Sequence, residues 1–327
     1  MSRIRIGIVG FGNIGRGVLS AVNAAPDMDA KGVFTRRDPA SLEIGESPVA
    51  AYHIGQAERM IDGIDVMLLC GSSADDIEDH GPHFASMFNI VDSYDTHAKI
   101  PQYLASVDAV AKNTTAIIST GWDPGLFSIL RVISTSVLPD GASYTFWGSG
   151  VSQGHSAAIR GIEGVKDAVQ YTIPINEAVD AVRSGSMPKL DAQSMHQRVC
   201  YVVAEPGADK AKIEKSIKTM PHYFADYHTF VNFIDDYSFI SEHSGMPHGG
   251  KELRTGKTGG KGQHTHSIEF SLDLDSNPEF TGSVMTAYAR AAFRMSREGL
   301  FGAKTVFDVP LSYISVMDRA TLIKELL

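Results

Sequence analysis

Cysteine is nearly absent from this chain: Cys70 and Cys200 are the only two in 327 residues. That excludes a disulfide framework and a four-cysteine zinc site. A long apolar run is missing too. Runs such as Val66-Met-Leu-Leu-Cys70 fall far short of the roughly 20 residues that cross a bilayer, so no membrane partner is expected. There is no surplus of basic charge. Lys and Arg number 29 against 38 Asp and Glu, net −9, which argues against nucleic acid as a partner. No repeat or low-complexity tract occurs, and the first residues read as a strand rather than a leader segment. The expectation left standing is a reducing, cytoplasmic, globular protein.

What is present suits a sizeable core: 43% hydrophobic and 20% charged residues, in a length that suggests about two domains. The first third alternates short apolar runs with helical stretches. Ile4 to Val9, Ala30 to Thr35, Asp65 to Cys70, Asn89 to Asp92 and Thr115 to Ser119 read as buried strands. Asn13 to Ala24 reads as a helix. That alternation predicts βαβ units in a parallel sheet. After residue 121 the texture changes. A helix is expected over Gly125 to Leu138. Longer alternating strands follow at Tyr144 to Trp147, Ala168 to Ile173, Gln197 to Val203, Thr229 to Ile234 and His266 to Leu274. Helical stretches fall at Asn176 to Arg183 and Asp209 to Thr219. The fold class is therefore α/β: an N-terminal Rossmann-type parallel sheet, then an α+β domain with a mostly antiparallel sheet. Boundaries are expected at 1–121 and 122–277, with the helix opened by Asn277-Pro278 returning so that 278–327 completes the first domain.

The segment Gly10-Phe-Gly-Asn-Ile-Gly15 fits G-x-G-x-x-G, directly after a strand and at the start of a helix. Gly10 allows the turn, Gly12 the approach of a pyrophosphate, and Gly15 close helix–strand packing. An NAD site places an acid after the second strand, whereas here Thr35-Arg36-Arg37 stands there. A hydroxyl and two guanidiniums suit a 2′-phosphate, so NADP is expected over NAD.

Ligands of an open parallel sheet lie beyond the carboxyl ends of its strands. Three polar clusters fall there: Cys70-Gly-Ser-Ser73, Asp92-Ser-Tyr-Asp95 and Thr120-Gly-Trp-Asp-Pro-Gly125. Asp95 and Asp123 can hold a cationic amine and take a proton as it becomes an imine; each also suits a helix cap. Gly249 to Gln263 carries Lys251, Arg254, Lys257 and Lys261 against Glu252, and is expected as a flexible cationic loop covering an anionic ligand. No metal is expected: His264 and His266, with His243 and His248, lack a further ligand at a zinc spacing. The two cysteines read as buried small residues.

Longer segments carry a likeness. They include Val9-Gly-Phe-Gly-Asn-Ile-Gly-Arg16, Val91-Asp-Ser-Tyr-Asp95 and Ser119-Thr-Gly-Trp-Asp-Pro-Gly125. Thr145-Phe-Trp-Gly148, Ser152-Gln-Gly-His-Ser156, Ala168-Val-Gln-Tyr-Thr172 and Glu242-His-Ser-Gly-Met-Pro-His-Gly-Gly250 continue it. In order and spacing the chain resembles the NADP-dependent meso-diaminopimelate D-dehydrogenases of bacterial lysine metabolism over nearly its whole length. The resemblance implies oxidation of the D-centre of meso-2,6-diaminopimelate to L-2-amino-6-oxopimelate and ammonia, reversible by reductive amination. It implies a homodimer, with 122–277 as substrate-binding and dimerisation domain.

Carried over by position, NADP would meet Phe11, Asn13 and Ile14 beside the glycines, then Thr35, Arg36 and Arg37. It would also meet Cys70, Gly71, Ser72 and Ser73; Ser93, Tyr94 and Asp95; and Trp122, Asp123, Pro124, Gly125 and Leu126. The reacting D-centre would lie against Asp95, Asp123, Trp147, Gln153 and Gly154. The distal L-centre would lie against Thr172, Arg198, His248 and Asn277. Asn277 also suits a helix cap before Pro278. Ser93, Thr96 and Lys257 depart from the family pattern, where Thr, Asn and an acid are expected. Two other readings compete: a related NADPH-dependent reductase resembling dihydrodipicolinate reductase, and a non-catalytic NADPH sensor.

Overall fold

Strands without a polar face need cover on both sides, and the first sheet has it. A computed structural model describes residues 3–45, 47–73 and 76–327. It divides the chain into two compact units, Met1–Ile129 with Pro278–Leu327, and Leu130–Asn277. In the first, β1 (Ile4–Val9), β2 (Met28–Thr35), β3 (Ala51–His53), β4 (Val66–Leu69), β5 (Asn89–Asp92) and β6 (Thr115–Ile117) join Gly302–Lys304 in a seven-stranded parallel sheet. Its order is Gly302–Lys304, β6, β5, β4, β1, β2, β3. The order reverses at β4 and β1, the switch point of a doubly wound sheet.

Successive residues of each strand enter opposite cores. Ile6 and Ile8 of β1 and Leu68 of β4 face α1 (Asn13–Ala24) and the long helix Asn277–Arg297. Met67, Leu69 and Ile90 face α2 (Ile77–Ala85) and α3 (Ile100–Val110). The long helix crosses α1 at two glycines. A Cβ on Gly282 would stand 2.6 Å from the Gly17 backbone, and one on Gly17 2.7 Å from the Pro278 carbonyl oxygen. Arg290 of the same helix donates to both oxygens of Asp27, at 2.6 and 2.7 Å. That pair holds the Asp27 carboxyl below its usual range.

α4 (Leu126–Val137) leads into the second unit. There β7 (Gly141–Trp147), β12 (His248–Thr258) and β13 (His264–Leu274) form a three-stranded sheet in the order β13-β12-β7. The strands β8 (Gly150–Val151), β9 (Val165–Pro174), β10 (His196–Ala204) and β11 (His228–Phe233) form a four-stranded one. Pairing is antiparallel except between β10 and β11. The expected fold class stands. α5 (Gln153–Arg160) and the helix Lys210–Lys218 share a core with Cys200 and Val202 of β10, and α6 (Asn176–Arg183) shares one with Phe146 and Leu253.

One expectation fails. Residues 249–258 are not a flexible loop but part of β12, bonded to β7 on one side and β13 on the other. Glu252 and Arg254 are buried, while Lys257 is exposed. Glu252 accepts from Arg131 Nε at 3.1 Å and Thr145 Oγ1 at 2.6 Å. Arg254 donates to the carbonyls of Leu138 and Pro139, at 2.6 and 2.9 Å, and to Ser143 Oγ. Paired polar side chains satisfy one face of a central strand, so the apolar alternation that reveals strands is missing. Only the hairpin tip, 259–263, lies between strands. Among the described residues no helix is long and apolar enough to cross a membrane.

The close crossing at Gly17 and Gly282 yields a stability test. Gly282→Ala forces an overpacked contact worth about 1–3 kcal/mol, and thermal melting should show a fall of several degrees. Gly260→Ala at the hairpin tip, where a Cβ meets nothing within 4 Å, should leave the melting temperature in place.

Candidate active site

The glycine loop is shaped by contacts on two sides and open on the third. Gly10 has φ +89°, and a Cβ on Gly15 would lie 2.2 Å from the Gly10 carbonyl oxygen. Gly12 differs: a Cβ there meets no protein atom within 4 Å. Packing does not require glycine at this position, so its bareness leaves space for a ligand. Gly12 also heads α1 without a side-chain cap, and the first-turn N–H groups of an uncapped helix favour an anion. The cavity above, about 290 Å³, is lined by Phe11 and Gly12, by Thr35, Arg36 and Arg37, and by Cys70, Gly71 and Ser72.

At the far end of this cavity the two arginines have protein partners. Arg36 pairs with Asp76, whose other oxygen accepts from Ser72 N at 3.0 Å. Arg37 donates to the Phe11 carbonyl at 2.8 Å, and Thr35 Oγ1 accepts from Arg37 N. Arg36 stays largely exposed, and no acid stands at the end of β2 itself. Asp76, Ile54 and His80 also line the cavity and escaped the sequence reading. An uncapped helix start, a bare glycine and guanidiniums at the far end fit a phosphorylated dinucleotide. The same cavity takes in none of Asn13, Ile14, Ser73, Ser93, Tyr94, Asp95 and Trp122 to Leu126. Ile14 and Leu126 pack on the hydrophobic core, and Tyr94 is fully buried.

The loops after β5 and β6 are tied together by one buried carboxylate. Asp92, with no exposed surface, accepts from Tyr94 N at 3.0 Å, Ser119 N at 2.9 Å and the Tyr103 hydroxyl at 2.7 Å. Its backbone carbonyl accepts from both Thr120 N and Thr120 Oγ1 at 2.8 Å. Burial pushes its carboxyl up to about 6, against the pull of these donors. The two loops carry Asp95 and Asp123. Asp95 is exposed, and its N–H donates to Ser73 Oγ at 3.2 Å. Asp123 sits in a tight turn where Leu126 N donates to the Gly121 carbonyl and Phe127 N to that of Trp122. Gly125 has φ +129°, and a Cβ there would overlap Gly121.

The second unit gathers the candidates for the distal centre through β8. Val151 N donates to the Pro247 carbonyl, and Gly150 faces Thr172 across the β8–β9 pair. A Cβ on Gly150 would strike the His248 ring at 2.5 Å. Thr172 is registered with Arg198 in β10 and accepts from its Nη1. Thus His248, Thr172 and Arg198 form a short row. Gln153 and Gly154, at the start of α5, follow β8 directly, and a Cβ on Gly154 would meet nothing within 4 Å. Trp147 stacks on His196 with ring centroids 5.6 Å apart, and its N–H donates to His196 Nε2 at 2.9 Å. Asn277 N donates to the Met246 carbonyl.

Arg198 is the unusual charge. It is 8% exposed, its Nε is buried without a hydrogen bond, and among the described residues no acid pairs with it. Burial lowers its affinity for the proton. His155 and His196 are pushed down to about 4, chiefly by burial and then by Arg198, so both are neutral. Cys70 and Cys200 are buried thiols, the first pushed well up and the second up to about 12 by burial. Neither has the makings of a nucleophile.

The family model of the diaminopimelic acid dehydrogenase C-terminal domain matches residues 121–276. The chain is 56% identical to the meso-diaminopimelate D-dehydrogenase of Ureibacillus thermosphaericus, with 100% of each chain covered. Among solved structures it is similar to the C. glutamicum DAP dehydrogenase in complex with DAP, at TM-score 0.90, 43% identity and 100% of each chain. It is also similar to an engineered D-amino acid dehydrogenase bound to NADP+, at TM-score 0.85, 42% identity and 100% of each chain.

Asp92 gives a pH-dependent stability. Its folded carboxyl is raised above the unfolded value, so the stability it contributes is full below pH 3.8 and is lost as pH rises through about 6. Asp92→Asn removes this titration. The stability of wild type relative to Asp92→Asn should fall by on the order of 3 kcal/mol between pH about 4 and 7 in urea unfolding. A flat difference would show that burial does not govern this carboxyl.

Proposed function

The chain belongs to the meso-diaminopimelate D-dehydrogenase family, and from that premise we propose that it oxidises the D-configured centre of meso-2,6-diaminopimelate with NADP. The products are L-2-amino-6-oxopimelate and ammonia, and reductive amination is the reverse, in lysine metabolism. The observation that carries this reading is Arg198, a buried cation whose Nε has no hydrogen bond and which has no acidic partner among the described residues. A buried guanidinium of this kind calls for a carboxylate from outside the chain.

In this reading Arg198 and Thr172 take the carboxylate of the distal L-centre, with His248 and Asn277 beside them. Trp147, Gln153 and Gly154 flank the reacting D-centre. Asp95 and Asp123 hold its ammonium group and take the proton released as the carbon–nitrogen bond becomes an imine, which water then opens to the oxo acid and ammonia. Gly10, Gly12 and Gly15, with Thr35, Arg36 and Arg37, would hold NADP, which would supply the hydride acceptor. Of the remaining nucleotide-side assignments, Cys70, Gly71 and Ser72 share the cavity of the glycine loop. We place the enzyme in the cytoplasm as a homodimer. Its apolar surface supports the second point: Val132, Ile133 and Val137 of α4 are exposed. Ile268, Phe270 and Leu272 recur on one face of β13 and belong to no hydrophobic core cluster.

The direct test follows NADPH absorbance with the three stereoisomers of diaminopimelate. The meso isomer should drive reduction of NADP, the LL isomer should give little, and NAD should replace NADP poorly. Tight NADPH binding without turnover of any isomer would overturn the reading. Asp123→Asn should keep NADPH affinity while kcat falls by about 100-fold or more, the range of a lost proton acceptor. Unchanged kcat would remove Asp123 from the chemistry.

A further inference from the structure

The guanidinium of Arg198 is held by more than Thr172. The chain between the helix Lys210–Lys218 and β11 turns back over β10, and Tyr227 ends that turn. Its N–H donates to the Phe224 carbonyl at 3.0 Å, and Phe224 is fully buried in the core beneath α5. Tyr227 is thereby anchored one residue before β11, whose Thr229 is registered with Arg198. Its ring lies against the Arg198 guanidinium, 4.0 Å from ring centroid to Cζ.

We propose that Tyr227 is a positioning residue that sets recognition of the substrate's distal carboxylate by holding the Arg198 guanidinium over its ring. The proposal rests on the reading of Arg198 given above and adds what makes that arginine usable. A buried guanidinium without an acid is costly before substrate arrives. An aromatic face stabilises it, because the ring quadrupole attracts the cation, yet the ring accepts none of its in-plane hydrogen bonds strongly. A carboxylate in Tyr227's place would neutralise the charge and compete with the ligand. The Tyr227 side chain, ring and hydroxyl together, therefore offsets part of the burial cost without a formal charge that would displace a carboxylate. Thr172 holds Nη1, and Tyr227 holds Cζ over its ring. Two constraints of different kinds define one orientation, which bidentate recognition of a carboxylate requires. Trp147 and His196 are stacked on each other, and His155 packs edge-on against Tyr223 and Phe224 of the same turn.

The test compares wild type, Tyr227→Phe, Tyr227→Leu and Tyr227→Met in steady state, with meso-diaminopimelate as substrate and D-lysine as competitor. D-lysine is the same molecule without the distal carboxylate. Tyr227→Phe keeps the ring, and its KM should stay within about twofold of wild type. Tyr227→Leu and Tyr227→Met lose it, and KM for meso-diaminopimelate should rise about tenfold with kcat little changed. The inhibition constant of D-lysine and the affinity for NADPH should not move in any variant. A general loss of structure would shift all of these together, so the selective rise in KM is the signature. Met is longer and more adaptable than Leu and serves if the Leu variant fails to fold. Unchanged KM in Tyr227→Met, with wild type active on the meso isomer, overturns the proposal and leaves the activity standing. Equal weakening of D-lysine and meso-diaminopimelate overturns it too. A wild type inactive on every isomer overturns the activity and the proposal with it.

Discussion

The first unit depends on a carboxylate that never reaches water. Asp92 ends β5, and both of its oxygens and its carbonyl are engaged by the loops on either side. Parallel strands end at one edge without hairpins to join them, so their loops must be tied by something else. Here it is an acceptor with capacity for several donors. Two backbone N–H groups and a phenol converge on it, and the loops bearing Asp95 and Asp123 inherit their course from that convergence. A buried acid is expensive, and the raised proton affinity records the cost. The cost is tolerated because no neutral side chain accepts as many bonds at a strand end.

The second unit treats buried charge in the opposite way. Glu252 and Arg254, in the middle of β12, are matched within the protein by Arg131, Thr145, backbone carbonyls and Ser143. They are structural, and their bonds within the protein carry a strand through an otherwise cationic segment. Arg198 is matched by a hydroxyl and a ring, and by no acid among the described residues. Arg254 spends Nε, Nη1 and Nη2 on protein acceptors, whereas the Nε of Arg198 has no hydrogen bond, and that contrast marks Arg198 as the proposed ligand cation.

The parts legible in the sequence are those governed by apolar periodicity and local backbone need. The strand Ile4–Val9, the helix Asn13–Ala24 and the helix Asn176–Arg183 fall where pattern places them, because apolar spacing decides them. The glycine loop was legible because Gly10 and Gly15 answer steric demands that any side chain would violate. Less was legible where polar groups pair across long sequence distance. Glu252 meets Arg131 from 121 residues away, and nothing near either residue announces the other. Arg36 read as a phosphate ligand, yet it has Asp76 beside it, an acid forty positions on. Tyr227 carried no motif at all; its role follows from the turn that lays it on Arg198.

Diaminopimelate presents two amino-acid ends of opposite hand, and in the proposed reaction this gives Arg198, which has no acidic partner among the described residues, its meaning. A site that grips only the reacting end sees the same groups in every D-amino acid. Discrimination must come from a group whose satisfaction depends on the far end being present and correctly configured. A buried cation supplies that, because leaving it unmatched costs more than a surface contact gains. On this reading, substrates lacking the distal carboxylate leave Arg198 buried with Thr172 and Tyr227 beside it and no acid among the described residues. The same incompleteness that makes the ligand-free pocket unfavourable therefore makes the complete substrate selective. Discrimination is set by how nearly, but not fully, the protein stabilises that one charge.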